Sequence, residues 1–268
     1  MVHRIMRGTT ETAGWRIDLL RVTDFDIPSD PIAPPGALGD TVRLPLNLVL
    51  LRGHGRTLLV DGGFGPYTHI IPGVVEQVDE RLAEAGCSRA AIDTVILSHG
   101  DFDHVGGLVA GEAGGEIRPA FPNARVVCPA KVAERYRTAR PGDEGEICGP
   151  ILEAWRAEGR LDEVADGHEL APGVRLTLAE GHAPGHSVVE VGDAYVHAVD
   201  VQHHPAHVPN PAWDAGFDQD PPAGLATRQA WVERLAADGR LASFAHLDGL
   251  GRIVRDSDGG TPRWEPLP

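Results

Sequence analysis

Cysteine is scarce in this chain: Cys87, Cys128 and Cys148 are its 3 cysteines. None lies in a CxxC pair and the number is odd, so a disulfide framework is not expected and a reducing cytoplasm is the compartment that fits. Basic charge is also scarce, with 24 Lys and Arg against 39 Asp and Glu and a net charge of -15. Backbone binding to nucleic acid needs a basic face, so no nucleic-acid partner is expected. Long apolar runs are missing as well. No stretch approaches the roughly 20 apolar residues that span a bilayer. The opening segment MVHRIMRGTTETAGWRIDLL has neither an apolar core nor a cleavage-like site, so no signal peptide and no membrane partner are expected.

What is present is an ordinary apolar fraction, 42% of 268 residues, enough to bury a sizeable core without staples. Histidine is unevenly spread. Of 13, ten lie at or after position 99, so any imidazole chemistry belongs to the later part of the chain.

Residues 15–22 read as a first strand, and the proline-rich stretch 24–40 as a connector or a cover over a site. LPLNLVLL and RTLLVDGG flank the turn residues Gly53, His54 and Gly55, a hairpin signal. Val75, Val78, Leu82 and Ala85 recur at helical spacing and predict a helix over 74–85, stopped by Gly86. Further strands are expected at 93–98 and 124–129, helices from Pro129 and over 151–159, three strands within 174–200, a helix over 221–239 and a last core strand at 241–246. Strands and helices mix throughout without repeats or a low-complexity linker. One α/β domain with mixed sheets, spanning 1–268, is the organisation this predicts.

The run ILSHGDFDHVGG, 96–107, delivers His99, Asp101, Asp103 and His104 within one turn at the end of an apolar strand. Alternate side chains there can face one metal ion and the adjacent pair a second, with Gly100, Gly106 and Gly107 permitting the sharp backbone. Taken alone, the run also suits an acidic solvated turn with Asp103 capping a helix at 104–110. Three further groups weaken that alternative: His182 in EGHAPGHS, Asp200 ending AYVHAVD, and His246 ending LASFAH. Each sits where a strand reaches its carboxyl end, the edge at which layered α/β proteins build sites. Two divalent cations need about seven or eight nitrogen or oxygen ligands.

His99-x-Asp101-x-Asp103-His104, with His182, Asp200 and His246, resembles the HxHxDH…H…D…H pattern of the metallo-β-lactamase superfamily. LLVDGG, TVILSHGDFDHVGGL, EGHAPGHS and AHLDGLG are similar to its usual phrasing, over about residues 45–255. The C-terminal part looks closest to the branch of methyl-parathion hydrolases and quorum-quenching lactonases. The resemblance implies an αββα sandwich of two mixed sheets with helices outside. It implies that His99, Asp101 and His182 hold a first metal, that Asp103, His104 and His246 hold a second, and that Asp200 bridges them. His186 is normally not a ligand in this family, and Asp61 normally orients the metal-site loop by hydrogen bonds.

Asp101 departs from the pattern, which carries His there. A third carboxylate beside Asp103 and Asp200 hardens the first site, lowers the Lewis acidity of the ions and shifts preference from zinc toward iron or manganese. Aspartate is also shorter than the glutamate of the di-iron branches, so its contact could run through a water.

The leading expectation is hydrolysis of a small-molecule lactone, ester or phosphotriester by a hydroxide bridging two divalent ions, Zn2+ before Fe or Mn. Asp103 would orient the nucleophile. His203, three residues after Asp200, would touch substrate oxygen where related lactonases place a tyrosine, or else simply pack under the site. His197, His204 and His207 are read as structural or surface residues. Segments 24–40 and 64–73 are the candidate pocket walls. Di-iron oxygen or redox chemistry, prompted by Asp101, and a degenerate metal-binding protein are the competing classes. A homodimer stays open.

Overall fold

The computed structural model describes residues 6–112, 115–137, 139, 145–213, 216–256 and 259–268. Two seven-stranded sheets carry the chain, and in each the strands lie side by side in sequence order. The first holds β1 (Met6–Thr12), β2 (Trp15–Pro28), β3 (Thr41–Gly53), β4 (Arg56–Val60), β5 (Thr94–Ile96), β6 (Arg125–Pro129) and β7 (Leu161–Val164). The second holds β8 (Glu169–Ala171), β9 (Val174–Leu178), β10 (Ser187–Val191), β11 (Tyr195–His197), β12 (Leu241–Ser243), β13 (Gly251–Val254) and β14 (Arg263–Pro266). Strands β1 to β4 pair antiparallel, while β4 to β7 run parallel. In the second sheet only β11 and β12 pair in parallel.

Alternation along the strands sorts the core into layers. Ile17, Leu19, Val49, Leu51, Leu58 and Val60 of the first sheet pack against Val174, Leu176, Val189, Val191 and Leu241 of the second. Their neighbours Leu20, Leu48, Leu50 and Leu59 face outward, beneath α1 (Val78–Glu84), α3 (Ala130–Tyr136) and α4 (Cys148–Ala157). On the other side Val188, Val196 and Ala242 receive Trp231, Val232 and Leu235 of α5 (Pro221–Asp238). The result is an αββα sandwich with mixed sheets, as the resemblance implies. No described helix is long and apolar enough to cross a membrane.

Three elements differ from their sequence reading. Strand β2 runs on to Pro28, because residues 24–28 pair with 41–45 of β3, so the proline-rich connector shrinks to 29–40. The helix read over 74–85 starts only at Val78. Glu76 turns back to accept hydrogen bonds from the amides of Phe64 (2.6 Å) and Gly65 (2.9 Å), and Gln77 N donates to Val22 O, which holds this stretch off the helix axis and leaves Val75 exposed. The last core strand ends at Ser243, not 246. Buried Asn47 reaches from β3 and donates its side-chain amide to the carbonyls of the 244–247 turn, the nearest being Leu247 O at 2.7 Å. That turn swings His246 off the strand.

Candidate metal centre

The seven residues singled out by the motif converge at the carboxyl ends of β5, β9, β11 and β12. His99 follows β5 directly, and α2 (Phe102–Val105) is a single turn that carries Asp103 and His104. Asp101 stands at the N-cap position of α2, yet its side chain makes no capping bond. Asp103 itself lies inside this helix and is buried, so the solvated turn with Asp103 as the cap of a helix at 104–110 is not what forms. Glycine is required beneath this turn. A Cβ on Gly107 would lie 1.9 Å from Gly62 O, so the strand-end segment carrying Asp61 can approach only a bare backbone.

Two groups of ligand atoms form, each with its members within 4.8 Å of one another: His99, His182 and Asp200, and Asp103, His104 and His246. Asp200 stands between them. Its Oδ2 lies 3.8 Å from His99 Nε2, 3.4 Å from His182 Nε2 and 3.4 Å from His246 Nε2, and its Oδ1 lies 3.4 Å from His104 Nε2. Asp103 Oδ2 is 3.6 Å from His104 Nε2 and 3.5 Å from His246 Nε2. Asp101 lies beside the first group, 3.2 Å from His182 Nε2 and 3.7 Å from His99 Nε2, but outside its close-set triad.

Three of the four imidazoles are held from behind through Nδ1, and the fourth, His182, faces a carboxylate there. His104 Nδ1 meets Asp61 Oδ2 at 2.9 Å, and His246 Nδ1 meets Pro45 O at 2.9 Å. Ser98 Oγ donates to Asp61 Oδ2 at 2.8 Å and lies 2.9 Å from His99 Nδ1, so it accepts the proton of that ring. His182 Nδ1 faces Asp218 Oδ1 at 3.5 Å. A proton on Nδ1 of each ring would leave its Nε2 lone pair facing inward, toward a cation. Asp61 earns its left-handed backbone (φ 63) by serving Ser98 N, Ser98 Oγ and His104 together. Ser98, the Pro45 carbonyl and Asp218 were not singled out from the sequence. Only the LSH tripeptide hints at the first, and the other two reach the site across more than 30 residues of chain.

The remaining histidines divide by their bonds. His186 spends both nitrogens, Nδ1 on Ala179 O (2.8 Å) and Nε2 on Asp200 N (3.2 Å), which fixes the backbone of Asp200. His197 bonds Ser243 Oγ, His204 accepts from Ala206 N, and His207 bonds Ile32 O. His203 is different. It is buried, its Nε2 lies 3.4 Å from Asp200 Oδ2, and neither nitrogen has a hydrogen-bond partner among the described residues. Burial pushes it down to about 3, so the ring is neutral. It stacks on His246 with ring planes 13° apart and looks into a cavity of about 120 Å³. Phe25, Ile27, Leu44, Ile71, Phe102 and Phe217 wall that cavity, and Asp101, Asp103, His182, Asp200 and His246 line its floor. Of the expected walls, 64–73 supplies Ile71, while 24–40 contributes through the end of β2 (Phe25, Ile27), not through its loop.

The donor set fits divalent cations. Among the described residues, His99 Nε2, His104 Nε2, His182 Nε2 and Asp200 Oδ1 are buried without a hydrogen-bond partner, an arrangement proteins avoid unless something else satisfies it. The electrostatics agree. Burial opposes a charged imidazole, yet Asp101 and Asp218 outweigh it and raise His182 to about 10. Burial is likewise overcome at His104 by Asp200, Asp103 and Asp61, and at His246 by Asp200 and Asp103. So negative a pocket calls for positive charge.

Comparison with known proteins agrees with this geometry. At 26% identity over 184 residues, the chain is similar to Rv2300c of Mycobacterium tuberculosis, described as a probable metallo-hydrolase; the match covers 58% of each chain. The chain thus spans little more than half the length of that relative. Among solved structures, AidC, a dizinc quorum-quenching lactonase in complex with a product, superposes with a TM-score of 0.84 at 21% identity over 97% of both chains. The hydrolase AbOPH gives 0.79 at 20% identity, over 100% of this chain and 99% of its own. At these identities the likeness establishes the fold. The model of the metallo-β-lactamase superfamily matches residues 42–199, more than half of the chain and the whole of its first ligand run. By that match, the chain belongs to the metallo-β-lactamase superfamily.

Proposed function

We propose that this chain is a metal-dependent hydrolase that uses two divalent cations, Zn2+ by preference, to cleave a small lactone, ester or phosphotriester. One observation carries the reading: two nitrogen-and-oxygen ligand groups meet at the floor of an apolar cavity, with Asp200 a member of one and 3.4 Å from two histidines of the other. His99, His182 and Asp200 would hold the first ion with Asp101 alongside, and Asp103, His104, His246 and Asp200 the second. Such ions, when bound, make water a nucleophile near neutral pH and polarise the oxygen of the scissile group.

The chain's own groups do the rest. Asp103 lines the cavity and is placed to accept a hydrogen bond from the attacking water, keeping a lone pair toward the substrate. His203, neutral and without a hydrogen-bond partner among the described residues, offers an N–H to a substrate oxygen as negative charge develops there. The walls of Phe25, Ile27, Ile71 and Phe217 exclude bulk water and take an apolar substituent. That AidC is a dizinc lactonase supports a lactone as the first substrate to try. The three cysteines are all free, which suits a reducing compartment. No nucleic acid or membrane enters the reading.

A panel of lactones, aryl esters and phosphotriesters tests it. Asp200→Ala should cut kcat/KM roughly 100-fold or more, about 3 kcal/mol, on whichever class is turned over. A variant as active as wild type would overturn the reading. A second reading, two irons acting on oxygen, is favoured by the three carboxylates Asp101, Asp103 and Asp200 on the cavity floor. Oxygen consumption by an iron-loaded protein that hydrolyses nothing in the panel would decide for it.

A further inference from the structure

Helix α5 belongs to the outer layer, yet its first turns reach the centre. Asp218 stands just before the helix with its side chain fully buried, 0% exposed, and Arg228, 3% exposed, comes from the helix's second turn. Arg228 Nη1 bonds Asp218 Oδ2, and Arg228 Nε donates to Pro211 O at 3.2 Å. The other oxygen, Asp218 Oδ1, has no hydrogen-bond partner among the described residues and faces His182 Nδ1 at 3.5 Å.

The segment is fastened to the histidine it faces. Gln219 N donates to His182 O at 2.9 Å, Asp220 N to Gly181 O at 2.9 Å, and Thr227 Oγ1 to Glu180 O at 2.6 Å. Gly224 makes room for the carboxylate, since a Cβ there would lie 2.3 Å from Asp218 Oδ2. A buried ion pair rarely adds stability over an apolar pair of similar size, so stability alone does not explain this one.

We propose that Asp218, backed by Arg228, is a positioning residue that locks His182 in the tautomer presenting Nε2 to the first metal position. The inference rests on the functional reading above. His104 meets Asp61 directly, His99 reaches it through Ser98, and His246 uses a backbone carbonyl, so among these four rings His182 alone faces the α5 segment. Arg228 cancels the charge that Asp218 would otherwise add to a site already crowded with carboxylates. Both metal positions thus lean on Asp61, and only the first leans on α5 as well.

Asparagine makes the test specific. In Asp218→Asn the amide oxygen would keep Arg228 and the NH2 would face His182 Nδ1. A donor there drives the ring proton to Nε2, the atom that must coordinate. In Asp218→Ala the ring is merely released to choose. Full-length protein loaded with Zn2+ is titrated with a chromophoric chelator, alongside thermal unfolding. The expected result is that Asp218→Asn weakens one of the two ions by about 10- to 100-fold, leaves the other within about twofold, and does more harm than Asp218→Ala. A role in packing alone would give the reverse order, with alanine worse and Tm falling in step. That order, or wild-type affinity for both ions in Asp218→Asn, overturns the inference and leaves the functional reading standing. Wild-type protein that takes up no Zn2+ overturns both.

Discussion

Asp101 stands where the superfamily's motif carries its second histidine, and its position explains both why it can serve and why it serves differently. Its carboxylate comes within 3.2 Å of His182 Nε2, but it is the one motif residue left outside the two close-set triads. The His99 and His182 rings strongly favour its ionised form despite burial, holding it well below the usual carboxylate range. Asp101→His should exchange this hard, offset oxygen for an imidazole and raise the Zn2+ affinity of the weaker ion by about tenfold or more, measured by calorimetric titration. Unchanged affinity would mean that Asp101 does not ligate. At this scale the sequence was readable because ligation needs particular side chains at particular strand ends, and HGDFDH, His182, Asp200 and His246 print them in order. Asp218 and the Pro45 carbonyl were not readable. One sits in a segment with its own local explanation as an approach to a helix, and the other is a backbone atom with no signature at all.

The loop between β4 and α1 shows what propensity could not foresee. Val75, Val78, Leu82 and Ala85 have helical spacing, yet the helix waits until Val78 because Glu76 is taken by the amides of Phe64 and Gly65. That bond fixes the loop bearing Ile71, a wall of the cavity. A long-range hydrogen bond outweighed a local pattern here, as another did at Asn47, where side-chain bonds ended β12 early and aimed His246 at the site. Burial pushes Glu76 up to about 7, against the pull of the two amides. The folded chain therefore holds this proton more tightly than the unfolded chain does. Its contribution to stability is full below pH 4.5 and declines as pH rises to about 7, by up to about 3 kcal/mol. Glu76→Gln lacks the titration, so its stability relative to wild type should improve by that order between pH 4.5 and pH 8, by urea unfolding. A difference between the two proteins that does not vary with pH would contradict this assignment.

Across the whole molecule, alternation of apolar residues made the layers legible, since one strand face feeds the inter-sheet core and the other lies under helices. What the sequence did not show was the strict sequential order of strands in each sheet, which depends on pairing partners that periodicity does not encode. That order places β4 beside β5 and β11 beside β12, so Asp61, the 99–104 run, Asp200 and His246 emerge at one edge. The site is thus assembled from both halves of the sandwich, with Asp200 of the second sheet closing ligand groups begun on the first. Its buried aspartates are part of the chain's net charge of -15, and carboxylates gathered in this way call for positive charge beside them. Elemental analysis of wild type and Asp200→Ala, both purified without added metal, tests this most directly. About two equivalents of zinc in the wild type and a clear loss in the variant are the predicted result. Equal metal in the two proteins, or none in the wild type, would contradict it.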